Sequence, residues 1–535
     1  MGLHDALFDY EYVCTHCTGC AAESVVEAAY TADVVMMQCN ARCPLFLAVV
    51  ASSIHASGAL QNGLALTPPR GFSTWQQWPD TDGVGGPMGG ASGRSVTEEL
   101  SRKYMHGIVA AGLNKLNYTY FIVDEPCFVG RDASGTLLEN KTTWPNGLKR
   151  FGEELRSHGM KLGIYTCVGP ETCGGCVASE GHEDQDVQTF ADWGAEYIKV
   201  DSCSRNCTVA AGVSNQTTCG KELWSRFTAA IKKTGKDIVY SIVCNCDPGR
   251  GDQPWKWAKE YANSWRTNID AQIGWQAVPY LVDCQRRMAG NGSWCLSNGS
   301  AWVDGPQGWQ PIQSDPGDGG QPCKCSEGHL DGACLGPAVE NGGPQQFSGN
   351  DNGKGGHWND MDMLMIGSRS PLFEYRVNQT TGEVISKGAG PGGSALTVSQ
   401  SRAQFSMWAA LKSPLLVSAD FDEVVTWAAD PKAPGVGSGR ELIEVLKNEE
   451  VLAVSDDVLG KEAVRLEDQK GTKSSPDVFV GEMSGGKYVA VMFGRSAGNM
   501  TLALSDLTVV GGSAAASSAP KAYLVRNTMI SLFLG

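Results

Sequence analysis

The stretch Glu196-Tyr-Ile-Lys-Val-Asp-Ser-Cys203 of this 535-residue chain points to both the fold and the place of the chemistry. Its aromatic and β-branched residues favour a buried strand. Lys199, Asp201 and Cys203 are two residues apart, so on a strand their side chains share one face. A lysine beside a carboxylate is either a structural ion pair or a carboxylate kept ionised so that it can attack a substrate. The surrounding sequence favours the second interpretation.

Strand-like and helix-like patterns alternate along the chain on both sides of this stretch. Apolar and β-branched runs predict strands at 70–75, 118–124, 161–166, 196–203, 237–243, 264–270, 358–366 and 414–418. Between them, apolar residues recur at helical spacing, as in the predicted helix 95–113, which begins with the capping-box pattern Ser95-Val-Thr-Glu98. This repeated alternation predicts an α/β fold, a (β/α)8 TIM barrel.

Four other regions lack this alternation. Residues 277–356 are rich in Gly, Pro and Cys, which predicts a long disulfide-pinned insertion within a catalytic barrel spanning 60–439. Residues 440–535 contain short β-like runs without helices between most of them, which predicts a small C-terminal antiparallel β-sandwich. Residues 37–59 have the order of a secretory signal peptide, although a buried strand also fits their apolar run. Residues 1–36 then form an N-terminal extension whose translation in the cell is uncertain.

The composition limits the partners and the compartment. A net charge of −15 argues against nucleic acid or an anionic membrane as a partner, and a neutral substrate fits better. The apolar run 44–51 is too short to span a bilayer permanently. The 19 cysteines are many for a cytosolic enzyme, and several Asn-x-Ser/Thr sequons, including those at Asn117 and Asn140, support a secretory route. We therefore expect a secreted protein, or one delivered to a vacuole or lysosome.

Polar residues follow several predicted strands at the end where TIM-barrel active sites lie. They are Asp124 and Glu125, Lys199 and Asp201, Arg266 and Asp270, and Asp360 and Asp362. Carboxylates that face one another across a small cavity cannot all remain ionised without cost, so their pKa values separate into those of an acid and a nucleophile. Lys199 would lower the pKa of Asp201, whereas Asp270 near other carboxylates could donate a proton. A pair of this kind is typical of glycosidases, and a Ca²⁺ or Mg²⁺ site is the competing interpretation.

Short motifs follow one another in a characteristic order from about Leu64 onward. They are Thr67-Pro-Pro-Arg-Gly-Phe, Phe121-Ile-Val-Asp-Glu, Gly163-Ile-Tyr165, Thr172-Cys173, Trp193-Gly-Ala-Glu-Tyr-Ile-Lys-Val-Asp-Ser-Cys203, Ser264-Trp-Arg-Thr, Trp358-Asn-Asp-Met-Asp-Met-Leu364 and Leu411-Lys-Ser-Pro-Leu-Leu416. Together they resemble glycoside hydrolase family 27, the α-galactosidase and α-N-acetylgalactosaminidase family. The resemblance implies a retaining exo-glycosidase that releases terminal α-galactosyl residues, with Asp201 as nucleophile and Asp270 as acid/base. It implies a glycan or small-molecule substrate, no cofactor and no metal, and it leaves a homodimer open.

The resemblance also assigns sugar contacts near these two carboxylates. They are Phe72, Asp124, Glu125, Tyr165, Lys199, Asn245 and Arg266. Three of these residues depart from the family pattern: Glu125 replaces an Asp, Phe72 replaces a Trp, and Asn245 lies where α-galactosidases have Glu. The departures keep three alternatives open. The substrate could be an α-N-acetylgalactosaminide or a β-L-arabinopyranoside, or the chain could be a sugar-binding homologue without hydrolysis.

Cysteines give two further expectations from the resemblance. Cys173 and Cys203 match a disulfide that braces the loop after the nucleophile. The usual partner of Cys127 is absent, so its pairing is either changed or lost.

The C-terminal β-domain also stops earlier than the family pattern, near residues 523–533.

Overall fold

A computed structural model gives the fold of the chain. It describes residues 60–75, 96–205, 216–243, 257–267, 354–368, 396–429, 439–465 and 477–494, together with shorter segments elsewhere. The chain divides into two compact units, Met1–Gly58 and Ala59–Gly535. In the first unit, Tyr30–Thr31, Val34–Met36 and Ala48–Val49 form a small antiparallel sheet. The signal peptide and the N-terminal extension stay predictions, because most of residues 1–59 lie outside the described part.

Parallel strands at the predicted positions form the centre of the second unit. They are β1 (Arg70–Ser73), β2 (Tyr120–Val123), β3 (Lys161–Cys167), β4 (Ala195–Asp201), β5 (Val239–Ile242), β6 (Ser264–Arg266), β7 (Gly356–Asp360) and β8 (Leu415–Val417). Neighbours along the chain pair in order from β1 to β7, and β8 pairs with β1. A parallel bridge between Leu364 and Val417 connects the segment after β7 to β8. The predicted (β/α)8 barrel is confirmed.

Helices follow most of these strands and pack their apolar faces against the barrel. They are α1 (Glu98–Ala111), α2 (Leu148–Ser157), α3 (Glu183–Asp192), α4 (Gln216–Thr234), α5 (Val398–Ala410), α6 (Phe421–Ala429), α7 (Gly439–Leu446) and α8 (Glu449–Ser455). The cap of α1 is Thr97, whose hydroxyl accepts from the backbone N–H of Leu100, so this helix begins later than the capping-box pattern at Ser95 predicted. In α5, Thr397 and Gln400 form a complete capping box, which pairs backbone groups that a helix start leaves open.

The main core lies between the barrel strands and the helices. Large aromatic side chains fill it, and Phe121, Phe151, Trp224, Trp265 and Trp408 are fully buried there. Each such side chain contributes roughly 1.5–3 kcal/mol through burial alone. This packing fixes the strands rigidly, and the ends of the strands in turn position the polar residues described below.

A short antiparallel sheet follows the barrel. It consists of β9 (Val464–Arg465), β10 (Asp477–Met483) and β11 (Lys487–Phe493). The backbone N–H of Ala463 donates to the carbonyl of Ala410, which ties this sheet to the end of α5. The sheet agrees with the predicted C-terminal β-domain.

Smaller features complete the described structure. Antiparallel pairs outside the barrel are Gly130–Arg131 with Leu137–Leu138, Trp302–Gly305 with Gly308–Pro311, and Tyr375–Val377 with Val384–Lys387. The second of these pairs lies in the predicted insertion 277–356, whose cysteines are outside the described residues. Within the described residues, no helix is both long and apolar enough to cross a membrane.

Candidate active site

The C-terminal ends of β2, β3 and β4 bring several predicted site residues together. In the register of β3 and β4, Tyr165 lies opposite Lys199 and Cys167 lies opposite Asp201. Asp124 and Glu125 directly follow β2, and β2 pairs with β3 on the edge of β3 opposite to β4. Because these strands are parallel, their C-terminal ends place the side chains at one end of the barrel, as predicted.

Hydrogen bonds from Tyr165 and Ser202 orient the carboxylate of Asp201. The hydroxyl of Tyr165 donates to Oδ2 at 3.0 Å, and the backbone N–H of Ser202 donates to Oδ1 at 2.6 Å. The expected disulfide between Cys173 and Cys203 is present, and Cys173 Sγ lies 3.6 Å from Oδ2 of Asp201. These contacts set the carboxylate in one orientation at the strand end.

Lys199 forms its ion pair with Asp124. The Nζ–Oδ2 distance is 2.6 Å, and both side chains are buried. Burial is the largest effect on the pKa of Lys199 and lowers it, as does the charge of Arg266. The carboxylates of Asp124, Asp201 and Asp362 together outweigh both, so the pKa of Lys199 is raised well above its ordinary value. The lysine acts on Asp201 as a nearby charge, while its direct partner is Asp124. This pairing had no signal in the sequence, because Asp124 is on a different strand.

Glu125 occupies a buried position beside this ion pair. Its backbone adopts the left-handed conformation, with φ of +52°, and Oε1 accepts from the backbone N–H of Gly174 at 2.8 Å. Burial raises the pKa of Glu125 to about 7, and the charges of Asp124 and Asp201 add to this, against the hydrogen bonds from Thr172 and Gly174. Near neutral pH this carboxyl can therefore donate or accept a hydrogen bond.

Arg266 closes another side of the barrel end. Its Nη2 lies 2.8 Å from Oδ1 of Asp362, and both side chains are fully buried. The other oxygen of Asp362 accepts from the backbone N–H of Ala271 at 2.6 Å. Asp362 thus connects the barrel to the segment that follows Arg266. The sequence showed Asp362 at a strand end but gave it no role.

Sulfur atoms crowd the same end of β3 and β4. A second disulfide joins Cys127 to Cys176, so the changed pairing of Cys127 is the correct alternative. Cys167 is a free, buried thiol whose Sγ lies within 4.8 Å of the sulfurs of Cys173 and Cys203. It is also 3.3 Å from the hydroxyl of Tyr165. Two of the three sulfurs are joined in a disulfide and offer no thiolate to a metal.

Three predicted site residues are not part of this group as described. Phe72 lies in the core with 1% of its surface exposed, and its ring is 5.7 Å from that of Tyr104 and 6.4 Å from that of Phe421. On β1 the alternation turns Phe72 toward the helices, and its role as a sugar contact stays a prediction. Asp270 and Asn245 lie outside the described residues, and their roles stay predictions.

Comparisons with known proteins agree with this geometry. A family model described as "Alpha galactosidase A" matches residues 67–305. The α-galactosidase of Lachancea cidri is 27% identical over 478 residues, which cover 87% of this chain and 80% of that protein. The α-galactosidase of Coffea arabica is 34% identical over 222 residues, covering 41% of this chain and 51% of that protein. The crystal structure of α-galactosidase I from Mortierella vinacea matches with a TM-score of 0.54 at 26% identity, covering 84% of this chain and 87% of that one. The chain is similar to the members of glycoside hydrolase family 27, the α-galactosidase family.

Proposed function

We propose that this protein is a retaining exo-glycosidase that hydrolyses terminal α-D-galactosyl residues of oligosaccharides or glycoconjugates. The observation that carries the proposal is the Asp201 carboxylate at the end of β4. It is oriented by Tyr165 and Ser202 and lies in a group with the buried Lys199–Asp124 pair. The relatives, which are named as α-galactosidases, support this substrate and do not favour the two alternative sugars. The intact Asp201 environment favours hydrolysis over sugar binding alone.

The proposed reaction has two displacements at the anomeric carbon. In the first, an oxygen of Asp201 attacks this carbon, the bond to the leaving oxygen breaks, and Asp270 protonates that oxygen. In the second, Asp270 removes a proton from water, the water oxygen attacks the same carbon, and the ester to Asp201 breaks. Each displacement inverts the carbon, so the product has the configuration of the substrate.

The buried polar residues around Asp201 suit the binding of sugar hydroxyls. Asp124, fixed by Lys199, accepts hydrogen bonds, and Glu125 can accept or donate them. Arg266 offers N–H donors from a side chain that is held by Asp362. A site of convergent polar groups of this kind rejects sugars that leave one of its buried groups unpaired.

We also infer a route through the secretory pathway to the outside or to a vacuole or lysosome. The two disulfides Cys127–Cys176 and Cys173–Cys203 support it, because disulfides form and persist in oxidising compartments. A homodimer stays a prediction.

Following the hydrolysis of an aryl α-galactoside by proton NMR tests the proposal. We expect α-galactose to appear first and to mutarotate later. The Asp201→Asn variant should lose roughly three orders of magnitude or more in rate at an unchanged unfolding temperature. Asp192→Asn, an exposed carboxylate on α3, is the matched control and should keep its activity. Release of β-galactose first, or full activity in Asp201→Asn, would overturn the proposal.

A further inference from the structure

Residues 171–177 form a tight hairpin that two disulfides attach to the active site. Glu171 and Val177 make an antiparallel bridge, and the backbone N–H of Thr172 donates to the carbonyl of Cys176 at 2.7 Å. We call this segment the stapled hairpin. Within it, Cys173 is bonded to Cys203, two residues after Asp201, and Cys176 is bonded to Cys127, two residues after Glu125. The hairpin is thus linked covalently to the loops that carry two of the site carboxyls.

The tip of the stapled hairpin fits closely around Glu125. The backbone N–H of Gly174 donates to Oε1 at 2.8 Å. A Cβ atom at position 174 would lie 3.1 Å from Oε2 of Glu125, closer than most Cβ contacts. The absence of a side chain at Gly174 therefore leaves the room that the longer Glu side chain occupies.

The backbone after β2 needs support to hold this arrangement. Glu125 and Cys127 both have positive φ, +52° and +53°, a conformation that residues other than glycine disfavour. The methylene by which Glu is longer than Asp also adds a freely rotating bond, whose freedom is lost on binding unless the protein removes it beforehand. The Cys127–Cys176 bond links this segment covalently to the stapled hairpin.

We propose that the Cys127–Cys176 disulfide and Gly174 are positioning elements for Glu125, which hold its carboxyl in place for the sugar. They make a Glu usable where the family pattern has Asp. The inference rests on the proposed function, since it takes Glu125 to contact the substrate. A purely structural disulfide would stabilise the fold without acting through Glu125.

A double-mutant cycle separates these two roles, because coupling appears only if the disulfide acts through Glu125. The four proteins are the wild type, Cys127→Ala/Cys176→Ala, Glu125→Gln and the combination, each assayed for KM and kcat on an aryl α-galactoside. We expect removal of the disulfide to raise KM about 5- to 10-fold with kcat changed less than about 2-fold. In the Glu125→Gln background we expect it to change KM by less than about 1.5-fold. An unchanged KM, or the same increase in both backgrounds, would overturn the proposal.

Gly174→Ala provides a test that leaves both disulfides intact, should the double alanine variant not fold. The added Cβ should raise KM in the wild type but not in the Glu125→Asp background, because the shorter side chain withdraws from position 174. An equal effect in both backgrounds would contradict the proposed positioning.

Galactose binding measured by calorimetry on the same variants keeps this inference distinct from the proposed function. If the wild type hydrolyses no aryl α-galactoside, the proposed function fails, and the cycle is then judged on the dissociation constant for galactose. If the wild type is active and the cycle shows no coupling, only the positioning role fails.

Discussion

Neighbouring carboxyls at this barrel end have very different surroundings. Asp124 is paired with the Lys199 ammonium at 2.6 Å, and Asp201 accepts from a tyrosine hydroxyl and a backbone N–H. Glu125 is buried, and this burial raises its pKa to about 7 although the backbone N–H of Gly174 donates to its carboxylate. The positions of Lys199 and Asp201 on one strand face were predictable from their spacing. The partner of each carboxyl was not, because it depends on which residues of other strands lie nearby.

The raised pKa of Glu125 predicts a pH-dependent stability. Because burial raises it from 4.5 to about 7, the folded protein binds a proton on Glu125 over a pH range in which the unfolded chain has released it. The contribution of Glu125 to the free energy of unfolding is complete below about pH 4.5 and is lost as pH rises through 7. Relative to Glu125→Gln, the wild type should lose up to about 3 kcal/mol of unfolding free energy between pH 5 and 8. Denaturant unfolding of both proteins measures this, and a difference independent of pH would contradict it.

Strands and loops differ in how far sequence alone could predict them. The alternation of apolar runs and amphipathic segments located the barrel strands, because each strand is buried on both faces. The face on which each side chain lies was harder to predict. Both faces of β1 are buried, so apolar character alone did not indicate that Phe72 points to the helices. The Cys127–Cys176 bond was not predictable, because it depends on where the loops after β2 and β3 meet.

Close strand packing predicts a sharp difference between two glycines. A Cβ on Gly71 of β1 would lie 2.1 Å from the carbonyl oxygen of Tyr120 on β2, which cannot move without breaking the sheet. Gly71→Ala should therefore cost about 3 kcal/mol or more of unfolding free energy. Gly130→Ala is the matched control, because its Cβ would meet only Leu138 at 4.0 Å. Thermal or urea unfolding of both variants checks this, and equal stabilities would show that the strand contact is not limiting.

The whole molecule depends on contacts between distant parts of the chain. β8 pairs with β1, and the hydroxyl of Tyr118 donates to the carbonyl of Leu446 at 2.8 Å. Early and late parts of the sequence are therefore in direct contact. The barrel was predictable because its strands recur with helices between them. The residues at which strands end were harder to predict, because the strand predicted at 264–270 ends at Arg266. The Cys-rich insertion and Asp270 stay predictions, since the described residues do not include them.

Labelling of the nucleophile tests the central claim most directly. A fluorinated galactosyl fluoride that forms a slowly hydrolysed glycosyl-enzyme is incubated with the protein, and proteolytic peptides are then mapped by mass spectrometry. We predict one galactosyl adduct, on the peptide that contains Asp201, and its absence in Asp201→Asn. An adduct on another carboxylate, or an active enzyme that forms no adduct, would contradict the assignment of Asp201 as the nucleophile.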